Sequence, residues 1–119
     1  DFVSAARDEE ALELPFLEWD LSKPCPLRAP YGYCCDVMEH LPPDQVEPVI
    51  SNIMASASKV FFQIATVPDN FGAVIGHQLH LTVRPHEWWA DQLSRSCAVA
   101  WDSRLEGRSQ FVVEANGAR

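Results

Sequence analysis

The run KVFFQIATV, Lys59 to Val67, constrains the fold more than any other stretch of the chain. Near-continuous apolar runs of this length, rich in β-branched and aromatic residues, are buried strands of the kind found in parallel sheets covered on both faces. Just before it, Val46, Val49, Ile50, Ile53 and Met54 repeat at the spacing of one helical face. Asp44 and Glu47 fall near the positive end of that helix's dipole, and Pro48 is tolerable only in a first turn, so the helix is expected to start near Gln45 or later. A strand, a helix and a strand follow from YGYCCDVM (Tyr31 to Met38) through KVFFQIATV.

The flanks complete the order. Asp1 to Ser4 reads as the tail of a strand and LPFLEWDLS, Leu14 to Ser22, as another, joined to the next by the proline-rich KPCPLRAP. PDNFGAVIGHQLH reads as a loop, and RPHEWWADQLSRS as a helix with Trp88, Trp89 and Leu93 on a partly apolar face. CAVAWDSRL and SQFVVEANG, separated by EGR, suit an antiparallel hairpin. Strands alternating with helices imply right-handed crossovers, and so an α/β fold with a mostly parallel, Rossmann-like sheet ending in an antiparallel C-terminal hairpin. At 119 residues, one domain is expected over residues 1–119.

Composition narrows the function. A chain 47% hydrophobic and 22% charged is of globular type, and it contains neither an apolar run of the ~20 residues that span a bilayer nor a signal-like start. A cytoplasmic protein without membrane contact is the expectation. The formal charge of −8, with basic residues scattered singly, disfavours charge-driven binding of nucleic acid. Cys25, Cys34, Cys35 and Cys97 lack CxxC spacing and read as reduced, mostly buried side chains.

Asp1, Asp20 and Asp36 each stand at the end of an expected strand. Carboxylates along the carboxyl edge of such a sheet can accept hydrogen bonds from ribose hydroxyls or an adenine amine, although acids also simply cap turns there. His77 and His80, with Asp36, Glu39 and His40, raise the question of a metal. The HxxH pair lies in a glycine-containing loop rather than on a helix, so no metal is expected. Cys34 or Cys35 beside His40 is a weaker candidate nucleophile, and His86 reads as a surface residue at a helix start. Phe71, His77, Trp88 and Trp89 are candidates to line an acceptor pocket.

Taken in order, DFVSAA, LEWDLS, CCDVMEHLPPDQVEPVISNI, KVFFQIATVPDN and LHLTVRPHEWWADQL resemble the second to fifth strands and adjoining segments of class I S-adenosylmethionine-dependent methyltransferases. DVMEHLPP is the most specific piece, similar to the family's acid and Glu-His-Leu turn after its fourth strand, and the terminal hairpin resembles the sixth and seventh strands. The resemblance implies S-adenosylmethionine as cofactor. It implies Asp1 as the ribose-binding acid, Asp20 and Leu21 around the adenine, and Asp36 and Val37 beside the methionine moiety. Asp36, Glu39, His40 and His80 are implied on the reaction side, with His40 or His80 as proton acceptor for an unidentified methyl acceptor. The family's first strand and glycine-rich loop have no counterpart here, so the sheet is expected to be N-terminally incomplete. An edge exposed in this way invites a partner or a second copy. The alternative is a noncatalytic interaction module that keeps the sheet without binding cofactor.

Overall fold

The structure, a computed structural model, describes residues 15–115. The expected strand tail at Asp1 to Ser4, and with it Asp1, lies outside the described residues. Strands β1 (Ala29–Cys35), β2 (Ala57–Ala65), β3 (Cys97–Leu105) and β4 (Arg108–Ala115) form one sheet in the order β1-β2-β4-β3. Helix α1 (Val46–Ser56) joins β1 to β2, the single turn α2 (Gly72–Ile75) and helix α3 (His86–Ser94) lead from β2 to β3, and β3 and β4 form the expected hairpin. The sheet is mixed: β1 and β2 run parallel, while β2–β4 and β4–β3 are antiparallel.

Each element follows from its residues. In β2, Val60, Phe62 and Ile64 are fully buried and pair across with Val113, Phe111 and Ser109 of β4. Burying side chains of this size stabilises the fold by about 1.5–3 kcal/mol apiece. α1 turns Val46, Val49, Ile50, Ile53 and Met54 onto this face, as the spacing required, and Trp89 and Leu93 of α3 complete the cluster. A short 3₁₀ turn at Pro43–Gln45 precedes α1, so Pro48 falls in the first turn, where its missing N–H deprives the helix of no bond.

The other face corrects the expectation that β2 is covered on both sides. Both helices pack on the first face, so Tyr31, Tyr33, Phe61, Val112 and Trp101 share a face that no described helix covers. Tyr33 and Phe61 stack there with ring centroids 5.5 Å apart. Among the described residues β1 also has no neighbour beyond its outer edge.

Three local expectations change. The stretch expected to be a strand up to Ser22 makes no strand pairing from Pro15 onward: Trp19 and Leu21 dock against the core instead. The Trp19 Nε1–H donates to the Lys23 carbonyl (2.7 Å), and the Asn52 amide donates to the Leu21 carbonyl (2.9 Å). The glycine loop contains α2, whose first residue must be glycine because a Cβ on Gly72 would lie 2.0 Å from the His77 carbonyl oxygen. His86 is buried rather than surface-exposed. Starting α3 directly after Pro85 aims its ring at the sheet, where Nδ1 meets Ser109 Oγ (2.8 Å), Nε2 meets Asp102 Oδ2 (2.7 Å) and the ring stacks on Phe111.

Phe62→Ala is expected to lower unfolding stability by ~3–5 kcal/mol, because it opens a cavity between α1 and the sheet. Tyr33→Ala, on the open face, should cost less than ~1 kcal/mol, and urea unfolding of the two variants checks the difference.

Candidate functional site

Parallel pairing of β1 with β2 ends where the Asp36 N–H donates to the Gln63 carbonyl (3.0 Å). Asp36 itself adopts a left-handed backbone, φ 58°, a conformation that Asp tolerates better than most residues. The chain turns off the sheet there and enters a 3₁₀ turn, Met38–His40, in which Met38 and Glu39 are buried and His40 is exposed. The segment before α3 returns alongside. The Thr82 N–H donates to the Glu39 carbonyl (3.1 Å) and the Thr82 hydroxyl to the Leu41 carbonyl (2.5 Å).

This docking brings His80 to the Met38–His40 turn although forty residues separate it from His40. Their rings meet edge to face with centroids 4.9 Å apart. His40 Nδ1 lies 2.9 Å from the Leu79 carbonyl and His80 Nδ1 lies 2.8 Å from the Val67 carbonyl. A carbonyl oxygen can only accept, so in each ring Nδ1 carries the proton and the neutral ring keeps its lone pair on Nε2. Glu39 completes the cluster, with Oε2 4.0 Å from His40 Nε2. Its side chain is 1% exposed and its Oε1 has no hydrogen-bond partner. Burial pushes the Glu39 carboxyl up from the usual range, reinforced by Asp36 and opposed by a backbone hydrogen bond and the two histidines.

A groove of about 850 Å³ begins two residues earlier in the chain, along the outer side of β1. Asp20, Leu21 and Val37 all line it, together with Trp19, Gly32 and Cys35. Asp36, expected beside Val37, is not among its lining residues, and the Asp20 carboxylate is engaged: its Oδ1 accepts from the Ser22 N–H (2.9 Å) and the Ser22 hydroxyl (2.8 Å). These bonds hold the Asp20 carboxyl below its ordinary range, and they are the turn-capping use of an acid.

Several sequence candidates do not gather here. His77 is exposed and stands apart from the Glu39, His40 and His80 group, so the HxxH pair does not act as a pair. Cys34 is pushed up to about 12 by burial, which keeps it a neutral thiol and ends its candidacy as a nucleophile. Trp89 is core, and Trp88 lies under the Arg84 guanidinium, 5.5 Å from it. The Leu79 and Val67 carbonyls that aim the two rings have no sequence signature, because any residue supplies a carbonyl.

No protein-family profile and no curated protein matches the chain. Solved structures do. An O-methyltransferase family protein from Burkholderia thailandensis is 13% identical with a TM-score of 0.68, over 88% of this chain and 36% of that one. NcsB1, an O-methyltransferase from neocarzinostatin biosynthesis solved with S-adenosyl-L-homocysteine and 1,4-dihydroxy-2-naphthoic acid, is 12% identical with a TM-score of 0.63, over 83% and 33%. The magnesium protoporphyrin IX methyltransferase ChlM from Synechocystis PCC 6803, with bound S-adenosylhomocysteine, is 16% identical with a TM-score of 0.61, over 85% and 50%. The chain thus has the class I methyltransferase fold and spans a third to a half of the length of these structures.

The burial of Glu39 makes a signed prediction. A carboxyl whose folded pKa is raised binds its proton more tightly in the folded state, so its contribution falls as pH rises through the window above the unfolded value of ~4.3. Glu39→Gln should therefore be more stable than the parent chain at pH 7, with the gain gone below about pH 4. Denaturant unfolding at both pH values, with a chelator present to strip cations, checks this; a Gln variant less stable at pH 7 contradicts it.

Proposed function

We propose that the chain carries the cofactor-facing and reaction-side residues of an S-adenosylmethionine-dependent methyltransferase. The observation that carries this reading is that Val37, which lines the β1 groove, leads directly into the Met38–His40 turn that carries Glu39 and His40 of the cluster, just past the carboxyl end of β1. In open α/β sheets that is where ligands bind. Fold alone does not fix chemistry, so the reading rests on this site.

The residues present suit an adenosyl group in part. The groove is of small-ligand size and offers apolar walls from Trp19, Leu21 and Val37, with the polar backbone of β1 beside them. S-adenosylmethionine, when bound, supplies a methyl group on a positively charged sulfur. The chain's own residues then have two tasks. Leu21 and Val37 exclude water from the apolar part of the ligand, and Asp36, preceding Val37 at the end of β1, contributes negative charge at that end of the strand. On the reaction side, the Nε2 lone pairs of His40 and His80 orient an acceptor's X–H group and take its proton as methyl transfer proceeds. Positioned proton acceptors of this kind contribute typically ~10²–10⁴-fold to rate.

The test is calorimetric titration with S-adenosylhomocysteine. Saturable binding is expected, and Val37→Arg, which places a long cation in the groove, should weaken it at least ~10-fold without lowering the melting temperature. Binding that ignores Val37→Arg would move the cofactor out of this groove. The free outer edge of β1 supports a second part of the proposal, that another strand pairs there. Sedimentation of the purified chain should show concentration-dependent association, weakened by Tyr33→Pro, which removes a β1 backbone donor on the outer edge, the side away from the Asp36–Gln63 bond.

A further inference from the structure

We infer that Glu39, His40 and His80 form a binding site for a divalent first-row transition metal. The observation behind this is a carboxylate oxygen and two imidazole nitrogens, from segments far apart in sequence, lying within 4.8 Å of one another. Three ligands on one tetrahedral ion at ~2.1 Å stand roughly 3.4 Å apart, so a small inward movement completes the set.

Two independent features say that this is more than proximity. Each histidine is already arranged as a ligand: Nδ1–H is spent on a backbone carbonyl, Leu79 for His40 and Val67 for His80, and Nε2 keeps its lone pair. Metal-ligating histidines are held by this type of outer hydrogen bond, which fixes tautomer and ring orientation together. The edge-to-face contact of the rings restricts them further.

The second feature is Glu39. Its side chain is 1% exposed and Oε1 has no hydrogen-bond partner. A buried carboxylate with one oxygen left unpaired is costly and calls for a cation or a proton. The titratable groups acting on it are His40, His80 and Asp36, with neither Lys nor Arg beside it among the described residues. A metal ion satisfies the carboxylate and both Nε2 lone pairs at once, whereas a proton satisfies one.

Donor type selects the metal. Two imidazoles and one carboxylate suit Zn²⁺, Fe²⁺, Mn²⁺ or Co²⁺ better than Mg²⁺ or Ca²⁺, which prefer all-oxygen sites. Three protein ligands leave at least one coordination position open, and the exposure of His40 gives it access. His77 and His80, as a pair in a loop, speak against a metal. The fold pairs His80 with His40 instead, which removes that objection.

Metal binding stands apart from the methyltransferase reading, but one consequence rests on it. With the ion bound, His40 and His80 no longer take the acceptor's proton. An acceptor hydroxyl oxygen fills the open position, its pKa falls, and its proton leaves to water before methyl transfer.

The experiment is calorimetry of the chelator-stripped 119-residue chain with Zn²⁺, and absorption spectroscopy with Co²⁺. One equivalent is expected, with visible Co²⁺ bands and a raised melting temperature. The isosteric Glu39→Gln and His80→Gln, both checked for fold by circular dichroism, should each weaken binding at least 10-fold. His77→Gln, outside the cluster, should leave it unchanged. Absence of stoichiometric binding, or equal losses from His77→Gln, overturns the proposal. Because Glu39→Gln preserves volume and relieves a buried charge, loss of binding there cannot be put down to unfolding. Metal binding without S-adenosylhomocysteine binding would remove the methyltransferase reading alone, and the reverse result would remove the metal site alone.

Discussion

The last rung of the parallel ladder, from the Asp36 N–H to the Gln63 carbonyl, sets where the chain leaves the sheet, and much of the site depends on that point. One residue more or less in β1 would turn its alternation over and send Glu39 toward solvent. The register is fixed in turn by packing. Cys34 faces the core beside Val60 and Phe62, while Tyr31 and Tyr33 face the other way. Packing of α1 on the same face then fixes how the connection from Asp36 to Val46 must run, and the short turns on either side of Leu41 follow that path.

The site is built by docking two loops rather than by one motif. The Met38–His40 turn provides an acid and an imidazole, and the segment around Thr82 brings the second imidazole by bonding to the Glu39 and Leu41 carbonyls. The hydrogen bonds that orient the two rings both go to backbone carbonyls. This makes the geometry tolerant of many side-chain changes around it, and sensitive to any change in the path from Val67 to Leu79. Gly72, which has no room for a Cβ, is one residue that fixes this path.

Much of this was legible in the sequence, for physical reasons that differ by element. α1 was readable because five apolar residues repeat on one helical face and Pro48 limits its start. The hairpin was readable from two β-rich runs with Gly107 in the turn, where φ is 76°. KVFFQIATV was readable as a strand, but not its half-open environment, since Phe61 is equally suited to a core and to an open aromatic face. LEWDLS misled because apolar residues with an acid after them serve a docked loop as well as a strand, and Trp19 and Leu21 bury without pairing. His86 misled because its partners, Asp102 and Ser109, come from the hairpin and are invisible from its neighbours. Glu39, His40 and His80 were legible as residues through their likeness to a family motif, while their mutual geometry required the fold.

The central claim is that the groove beside β1 and the histidine cluster serve one ligand-binding site. Its most direct test is a ¹⁵N–¹H correlation spectrum of the chain titrated with S-adenosylhomocysteine. The account predicts shifts concentrated at the amides of Leu21, Gly32, Val37 and Glu39, with those of β3 and β4 unmoved. Shifts confined to the open face around Tyr31 and Trp101, or no shifts in a folded chain at saturating ligand, would contradict it.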